Sequence, residues 1–267
     1  MPPQSYKYIN KLASKRVLII GGSSGLGYAA AEASLEHGAT VLLASSNPAK
    51  LAAAAARLRE SYPALVRSEV ATFAIDLADL DSLSSNLANL LNEATNGGED
   101  KIDHVIYTAD AAAPLPLLSE TTPRDIASAF SLRAYAPIIL AGLLKSSERF
   151  IRHSPDTSIM LTNGSSSHRP MPGWAVADSA AGAMEGLVRG LACDLAPARV
   201  NLVSSGPVTT ELFQTLPEET TELFRSKCLT GRLGRPEDVA EAYLYIMKDG
   251  FITGSTIFTE GGRILCP

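Results

Sequence analysis

Seven short apolar segments alternate with longer helical patterns along almost the whole chain, and this alternation restricts the possible folds most strongly. The apolar segments lack polar alternation, which is typical of strands covered on both faces of a parallel sheet. We predict these strands at Arg16–Gly21, Thr40–Ala44, Val70–Ile75, His104–Tyr107, Ser158–Leu161, Val200–Val203 and Ser255–Phe258. Such alternation predicts a Rossmann-like, doubly wound α/β fold, with a parallel sheet of about seven strands and helices on both faces.

The segments between the strands carry recognisable helix signals. Gly38 is placed to cap the end of the first helix, and Pro48 to begin the second. We predict helices at Gly25–Glu36, Pro48–Glu60, Leu80–Ala94, Thr122–Arg149, Ala177–Leu195 and Pro236–Met247. No internal repeat or linker interrupts the pattern. We therefore expect a single domain over residues 1–267, with a short N-terminal extension at 1–14.

Composition excludes several classes of protein. Hydrophobic residues make up 46% of the chain and charged residues 19%, which suits a large packed core. The net charge is −5 and no run of Lys or Arg stands out, so we expect no nucleic-acid partner. The cysteines, Cys193, Cys228 and Cys266, are too dispersed to suggest a disulfide framework or a metal site. The first apolar run is too short to span a membrane, so we expect a cytoplasmic protein with no membrane partner.

A glycine-rich turn joins the first predicted strand to the first helix. Gly21 permits a sharp turn, Gly25 lets backbone N–H groups approach a pyrophosphate, and Gly27 lets helix and strand pack closely. The helix dipole favours the phosphate charge. A position between strand and helix favours a dinucleotide site over an ordinary tight turn. We expect the cofactor to contact Gly21, Ser23, Ser24, Gly25, Leu26 and Gly27.

This turn and several later segments resemble the short-chain dehydrogenases/reductases. The spacing is that of T-G-x-x-x-G-x-G, with Ile20 at the threonine position. Arg199–Asn201 and Ser205–Thr210 resemble the family's R-V-N and P-G-x-V-x-T segments. The resemblance implies a nicotinamide dinucleotide cofactor and a substrate lid at residues 209–230. It implies further cofactor contacts, from adenine to nicotinamide, at Asp76, Leu77, Thr108, Ala109, Val208 and Thr210.

The end of the second strand indicates which dinucleotide binds. A cofactor with a free 2′-hydroxyl requires an acidic partner there, whereas a 2′-phosphate is repelled by one. The strand ends in Ser45, Ser46 and Asn47, which can donate hydrogen bonds to a phosphate. The family's usual arginine is absent at Ser46. These residues favour NADP(H) over NAD(H); the alternative is that they are ordinary turn residues.

The residues that move protons in the resembled family are missing. There, a tyrosine supplies or removes the carbonyl proton, and a lysine four residues later lowers its pKa and holds the ribose. When the helix ending at Met184–Leu187 is aligned with the family, the tyrosine position falls at Ala177 and the lysine position at Ala181. Residues 175–183 contain neither Tyr nor Lys, so a small shift in the alignment does not restore them.

Three residues are candidates for the chemistry of this altered site. Arg133 falls at the family's asparagine position; it either holds a substrate carbonyl or the ribose, or is structural and pairs with Asp110. The family's serine falls at Gly164 or Ser165. Trp174 either walls an apolar pocket or packs on the core or a neighbouring subunit.

The same departures occur in a divergent, fungal-type subgroup of the family. The chain is similar to alkaloid-pathway enzymes that reduce an iminium ion with NADPH and then promote a Diels–Alder cyclisation. Those enzymes also carry arginine at the asparagine position, and an aspartate between the two prolines of a Pro-x-Pro-Gly-Trp loop. This chain has Met171 at that place, within Pro170–Trp174.

Three functions fit these features. The first is an NADPH-dependent reductase of an apolar cyclic small molecule that needs no enzymic acid, such as an iminium ion. The second is a non-redox cyclase or isomerase that retains the dinucleotide, and the third is an inactive NADP(H)-binding scaffold. We also expect a homodimer or homotetramer, because helices Thr122–Arg149 and Ala177–Leu195 resemble those of the family's four-helix interface. Small residues that allow close approach are Ala180, Ala183, Gly186 and Gly190.

Overall fold

The computed structural model describes residues 7–63, 70–110, 117–211 and 213–266. It contains a seven-stranded, entirely parallel sheet, which confirms the predicted fold class. Every predicted strand is present, with bounds shifted by three residues at most. The strands are β1 (Arg16–Ile20), β2 (Thr40–Ser45), β3 (Val70–Ala74), β4 (His104–Tyr107), β5 (Ser158–Gly164), β6 (Arg199–Ser205) and β7 (Thr256–Thr259).

The strand order is β3-β2-β1-β4-β5-β6-β7, so the direction of winding reverses between β1 and β4. In a doubly wound sheet, a ligand cleft forms beyond the carboxyl ends of the strands at this reversal. Both faces of β1 are buried: Leu18 and Ile20 belong to one hydrophobic cluster, Val17 and Ile19 to the other. Burial on both faces is the physical reason for the uninterrupted apolar segments in the sequence.

Helices cover the two faces of the sheet. One cluster lies beneath α1, α2 and α8, and the other beneath α3, α5 and α6. The helices are α1 (Gly25–Glu36), α2 (Pro48–Ser61), α3 (Leu83–Ala94), α4 (Pro123–Phe130), α5 (Ala136–Ser146), α6 (Ala175–Asp194), α7 (Glu218–Ser226) and α8 (Pro236–Lys248). Helix α7 lies in the segment predicted as a lid, where no helix was expected.

Two predicted helices differ from those observed by more than two residues at an end. Helix α3 begins at Leu83 rather than Leu80, because Asp79 accepts hydrogen bonds from the Asp81 amide and the Ser82 hydroxyl in a local turn. The single helix predicted at Thr122–Arg149 is divided between α4 and α5 and ends at Ser146. The division is one turn of π-helix, Ser131–Tyr135.

The π-turn depends on a buried tyrosine of the neighbouring strand. Tyr107, at the end of β4, is fully buried, and its hydroxyl donates a 2.8 Å hydrogen bond to the carbonyl of Leu132. An extra residue in a helix disturbs the ladder of backbone hydrogen bonds, and the Tyr107 hydroxyl satisfies one carbonyl within that turn. Arg133, the next residue, is positioned by this turn.

The run from α4 to α5 is the one stretch in the described ranges with the length and apolarity to cross a membrane, judged by those criteria alone. It packs against α3 and α6. Only 33% of the most apolar 18-residue stretch in this run is buried, and Ile138 and Ile139 on α5 remain exposed.

The hydrogen bond from Tyr107 to the π-turn predicts a measurable contribution to stability. Replacing Tyr107 with Phe leaves the Leu132 carbonyl without this donor, and should lower the free energy of unfolding by about 1–3 kcal/mol. Tyr135→Phe is the matched control, because its hydroxyl lies on an exposed side chain of the same turn. Urea denaturation of both variants measures the difference, and equal effects would contradict the role given to Tyr107.

Candidate cofactor and catalytic site

The turn after β1 brings two backbone segments into close contact at the reversal of the sheet. Gly21 has φ +96°, and a Cβ there would lie 2.6 Å from both the Ala109 amide nitrogen and the Thr108 hydroxyl. A Cβ on Gly27 would lie 2.3 Å from the carbonyl oxygen of Gly21. Side chains at either position would therefore push α1 and β4 away from the turn. This packing places Thr108 and Ala109 beside the glycine turn.

The N-terminus of α1 already holds an oxyanion of the protein itself. The carboxylate of Glu211 accepts a hydrogen bond from the Gly25 amide, with Oε2 3.0 Å from the nitrogen. Thr210 lies against the same glycine, since a Cβ on Gly25 would be 3.2 Å from Thr210 Cγ2. A carboxylate at this helix terminus acts as a stand-in for a phosphate, because both use the free N–H groups and the helix dipole. The residues present therefore fit the pyrophosphate of a dinucleotide.

The carboxyl end of β2 presents hydroxyl groups next to the glycine turn. Ser23 donates a 2.9 Å hydrogen bond to Ser45, and this bond ties the turn to β2. Ser46 is exposed. Asn47 caps α2, because its side-chain oxygen accepts a hydrogen bond from the Lys50 amide. The side-chain oxygen of Asn47 therefore has the ordinary structural role of a turn residue, which was the alternative to cofactor binding. Its amide NH₂ is the group that could still donate to a ligand.

The two residues expected near adenine have different environments. Asp76 is exposed beyond β3, and one of its carboxylate oxygens accepts a hydrogen bond from the Ala78 amide. The side chain of Leu77 is buried in the hydrophobic core. Any contact of Leu77 with a cofactor is therefore restricted to its backbone. On the opposite side of the sheet, Val208 is also buried and pairs with Gly234 beyond β6.

Alanine methyl groups stand where the resembled family has its tyrosine and lysine. Ala177 and Ala181 are 7% and 6% exposed on the inner face of α6. Asn163 donates a 3.0 Å hydrogen bond to the Ala181 carbonyl, which ties β5 to α6 at this point. Ser165 is buried directly after β5. Tyr107 does not replace the missing tyrosine, because its hydroxyl is bonded to Leu132 and burial raises its pKa far above the ordinary value.

Arg133 and Asp110 form an ion pair at the mouth of the site. The guanidinium Nη2 lies 2.6 Å from Asp110 Oδ2, which is the structural alternative proposed from the sequence. The Asp110 side chain is 48% exposed, so the pair contributes little to stability and can exchange partners. Trp174, immediately before α6, is 37% exposed. That exposure contradicts the alternative in which Trp174 packs in the core, and leaves a pocket wall or a subunit contact.

The carboxyl group of Asp178 lies next to Ala177, one of the two alanines at the family's tyrosine and lysine positions. It was not among the site residues predicted from the sequence. Asp178 lies in the first turn of α6, where a carboxylate usually interacts with the helix dipole, but both of its carboxylate oxygens are shielded from solvent. Burial raises its pKa; the Ser166 hydroxyl, the guanidinium groups of Arg263 and Arg133, and the Met171 amide partly offset that rise. Proximity to Ala177 was visible in the sequence, but the burial of the oxygens was not.

The segment predicted as a lid is partly anchored. Phe224 of α7 is buried, with its ring 5.5 Å from that of Phe213 and 5.7 Å from the Arg263 guanidinium. Leu216 and Leu223 are exposed, and Leu212 lies outside the described residues. Core packing therefore accounts for Phe224, while two leucines remain available to a ligand.

No group of three or more His, Cys, Asp or Glu side chains is placed to hold a metal ion within the described parts of the chain. The site consists instead of a phosphate-binding turn, hydroxyl groups beside it, and an arginine and a buried carboxyl group next to two alanines. These features define a dinucleotide-dependent protein with an altered proton-transfer site.

Comparison with known proteins identifies the class. Residues 8–266 match the family model described as an SDR-like Rossmann domain, so the chain belongs to the short-chain dehydrogenase/reductase family. This family and its fold imply an oxidoreductase that binds a nicotinamide cofactor.

Two fungal sequences and one solved structure are particularly similar. The chain is 42% identical to the short-chain dehydrogenase/reductase malC of Malbranchea aurantiaca, covering 95% of this chain and 96% of that protein. It is 36% identical to fsr5 of Gibberella fujikuroi, covering 97% and 98%. The structure of the MalC reductase/Diels–Alderase superimposes with a TM-score of 0.90 at 41% identity, covering 97% of this chain and 99% of that one.

The contact between Glu211 and Gly25 predicts an effect on cofactor affinity. A pyrophosphate at the α1 N-terminus must displace the carboxylate, because like charges repel and the same amide serves both. Glu211→Gln should tighten binding of the nicotinamide dinucleotide roughly two- to fivefold, a range that allows for solvent screening. Calorimetric titration measures this change, with Glu237→Gln as a control that removes a nearby charge from another element. Unchanged or weaker binding by Glu211→Gln would contradict the competition.

Proposed function

We propose that the protein is an NADPH-dependent reductase of secondary metabolism that acts on an apolar cyclic substrate with a carbon–nitrogen double bond. The observation that carries the proposal is the replacement of tyrosine and lysine by the buried Ala177 and Ala181, while the phosphate-binding turn is retained. The similarity to a protein described as a reductase/Diels–Alderase supports both the reduction and a coupled cyclisation. We propose alkaloid biosynthesis as the setting from the resemblance of the sequence motifs alone.

The chemistry of the double bond explains why such a site is tolerable. NADPH, when bound, supplies a hydride. Reduction of a neutral ketone forms an alkoxide and therefore requires an acid, whereas reduction of an iminium ion forms a neutral amine. We assign Arg133, whose guanidinium reaches Asp110, to hold a substrate carbonyl, and Ser165, buried directly after β5, to supply a hydroxyl group. Trp174 and the exposed leucines of the lid supply apolar contacts.

Cyclisation without reduction is the second candidate, favoured by the same reductase/Diels–Alderase relative. The two are separated by NADPH that carries deuterium at the transferred position. The protein is incubated with this cofactor and cyclic iminium ions, and the products are analysed by mass spectrometry. A reductase gives products that contain deuterium. Cyclised products without deuterium support the cyclase, and no turnover despite tight NADPH binding supports a scaffold.

Selectivity for NADPH is proposed from the hydroxyl groups at the end of β2. Ser45 stands where a carboxylate would repel a 2′-phosphate, and its hydroxyl is oriented by Ser23. Ser45→Asp should therefore weaken NADPH binding by about tenfold or more, since a close like-charge pair costs more than 1 kcal/mol. NADH lacks the 2′-phosphate and is the internal control. Calorimetry that shows equal loss for both cofactors, or tighter NADH binding by the natural protein, would contradict the proposal.

The role of Arg133 is decided by measuring turnover and cofactor affinity on the same variant. If the guanidinium orients the substrate, Arg133→Ala should lower kcat/KM by about one to two orders of magnitude, the worth of a charge-assisted hydrogen bond. Cofactor affinity should remain within about threefold, whereas a ribose contact in place of the lysine would lower affinity first. Arg124→Ala, an exposed arginine on α4, is the matched control. Unchanged rate and affinity would make Arg133 structural.

Assembly with a second copy is proposed from the exposed faces of α5 and α6. Ile138 and Ile139 are exposed on α5, and a Cβ on Gly186 or Gly190 of α6 would meet no atom within 4 Å. Residues four apart share one helix face, so the glycines allow close approach by another helix. Ala180, expected to contribute, does not, because it is completely buried within its own subunit.

This surface predicts a homodimer or homotetramer at micromolar concentration. Light scattering coupled to gel filtration measures the mass. Gly186→Arg should shift the mass toward that of the single chain, because the new side chain obstructs the close approach. Ala53→Arg, on the exposed side of α2, should not change it. A natural protein that elutes as a monomer would overturn the proposal.

A further inference from the structure

Asp178 is a charged residue type in a position where its charge is poorly tolerated. Both carboxylate oxygens are inaccessible to solvent, and the Ser166 hydroxyl and the Met171 amide are the polar groups of neighbouring segments that interact with them. An ionised carboxylate in that state loses its hydration, and the surrounding hydroxyl, amide and guanidinium groups compensate for only part of that loss. A proton or a cationic ligand removes this penalty. The same burial raises the pKa of Asp178.

The position of Asp178 on α6 connects it to the vacant site. It follows Ala177 directly, and it precedes Ala181 by three residues, which places Asp178 and Ala181 on neighbouring surface of the helix. The groups around it come from three other segments. The Ser166 hydroxyl follows β5, the Arg133 guanidinium comes from the π-turn, and the Arg263 guanidinium comes from the C-terminal segment.

The guanidinium groups of Arg133 and Arg263 also interact with groups other than Asp178. Arg133 is paired with Asp110, while Arg263 donates a 3.0 Å hydrogen bond to the Arg169 carbonyl and lies near Glu260. Both guanidinium groups favour the carboxylate form, and burial opposes it. Asp178 therefore sits in an environment where it can hold a proton and also release it to a basic nitrogen.

We propose that Asp178 is the acid of this site and that the substrate is a neutral cyclic imine, an inference that rests on the proposed reductase function. The O–H bond of the Asp178 carboxyl group breaks and an N–H bond forms on the imine nitrogen, which gives an iminium ion paired with the carboxylate. With NADPH bound, the cofactor would supply the hydride that the iminium carbon accepts. The product is a secondary amine, and Asp178 regains its proton from water.

The first test observes the proton directly, without turnover. The probe is 3,4-dihydroisoquinoline, an apolar cyclic imine whose ultraviolet spectrum changes on protonation. It is mixed with protein and NADP⁺ at a pH above the pKa of the free imine. The natural protein should give the spectrum of the iminium form, and Asp178→Asn the spectrum of the neutral imine. A neutral spectrum with the natural protein, or equal protonation by both proteins, would overturn the proposal.

The second test compares this imine with its N-methyl iminium analogue, which is permanently charged and needs no proton. With NADPH, Asp178→Asn should lower kcat/KM for the imine by about 100-fold or more, the usual range for losing a general acid. It should lower kcat/KM for the N-methyl cation by about tenfold or less, because that substrate needs no proton and loses only its pairing with the carboxylate. Equal losses with both substrates, or no loss with the imine, would overturn the role of Asp178 as acid.

Two further variants control for folding and for charge. Asp178→Glu retains a carboxyl group and should retain protonation of the imine. Asp194→Asn makes the same chemical change at an exposed position at the end of α6, and should have no effect. Circular dichroism and thermal unfolding establish that each variant is folded. If Asp178→Asn does not fold, the first test is carried out on the natural protein and on Asp178→Glu. A spectrum of the neutral imine with both proteins would contradict the proposal.

Failure of the proposed function is distinguishable from failure of this inference. If the imine is protonated on the natural protein but not reduced with NADPH, the proposed reductase function is wrong and the role of Asp178 as acid still stands. If both probes are reduced and Asp178→Asn behaves like the natural protein, the reductase function stands and the role of Asp178 as acid is wrong. If the natural protein binds neither probe, both are overturned for this substrate class.

Discussion

The close crossing of backbone between the first turn and β4 is the constraint on which the rest of the structure depends. The gap between Gly27 and the Gly21 carbonyl is too small for a single methyl group, and the same is true between Gly21 and the Thr108–Ala109 segment. Only this approach places the N-terminus of α1 over the reversal of the sheet, with β2 on one side and β4 on the other. Every cofactor-facing feature is positioned relative to that crossing.

The phosphate-binding part of the site and the proton-transfer part have different chemical requirements. Binding a pyrophosphate requires backbone N–H groups in one geometry, which the glycines provide and few other residues permit. Proton transfer, in contrast, requires only a group of suitable pKa within reach of the substrate. A substrate that carries its own positive charge, or can be protonated by a carboxyl group, removes the requirement for tyrosine and lysine. The retained phosphate turn beside Ala177 and Ala181 is consistent with that distinction.

Much of this fold could be predicted because burial determines it locally. The strands are apolar segments covered on both faces, so their positions are visible in the sequence, and α1 was predicted with its observed bounds. The π-turn at Ser131–Tyr135 could not be predicted, because it depends on the Tyr107 hydroxyl, which comes from another strand. Helix α7 was missed because its single buried aromatic, Phe224, resembles a lid residue as much as a core residue.

The candidate site was less predictable than the fold, since charges depend on distant partners. The Arg133–Asp110 ion pair was one of the alternatives for Arg133, and only the geometry shows that the two side chains are in contact. Glu211 follows Thr210 in the sequence with no sign that it reaches the amide of Gly25. Asp178 has the position of an ordinary helix-terminal charge, and only the shielding of both oxygens sets it apart.

The central claim is that this site reduces a carbon–nitrogen double bond without the tyrosine acid that ketone reduction requires. It is tested most directly by the ratio of kcat/KM values for a cyclic iminium ion and a cyclic ketone of the same ring size, measured with NADPH on the natural protein. The account predicts that the iminium ion is preferred by about 100-fold or more, because the tyrosine that would protonate a ketone oxygen is missing. Equal values, or a preference for the ketone, would contradict it.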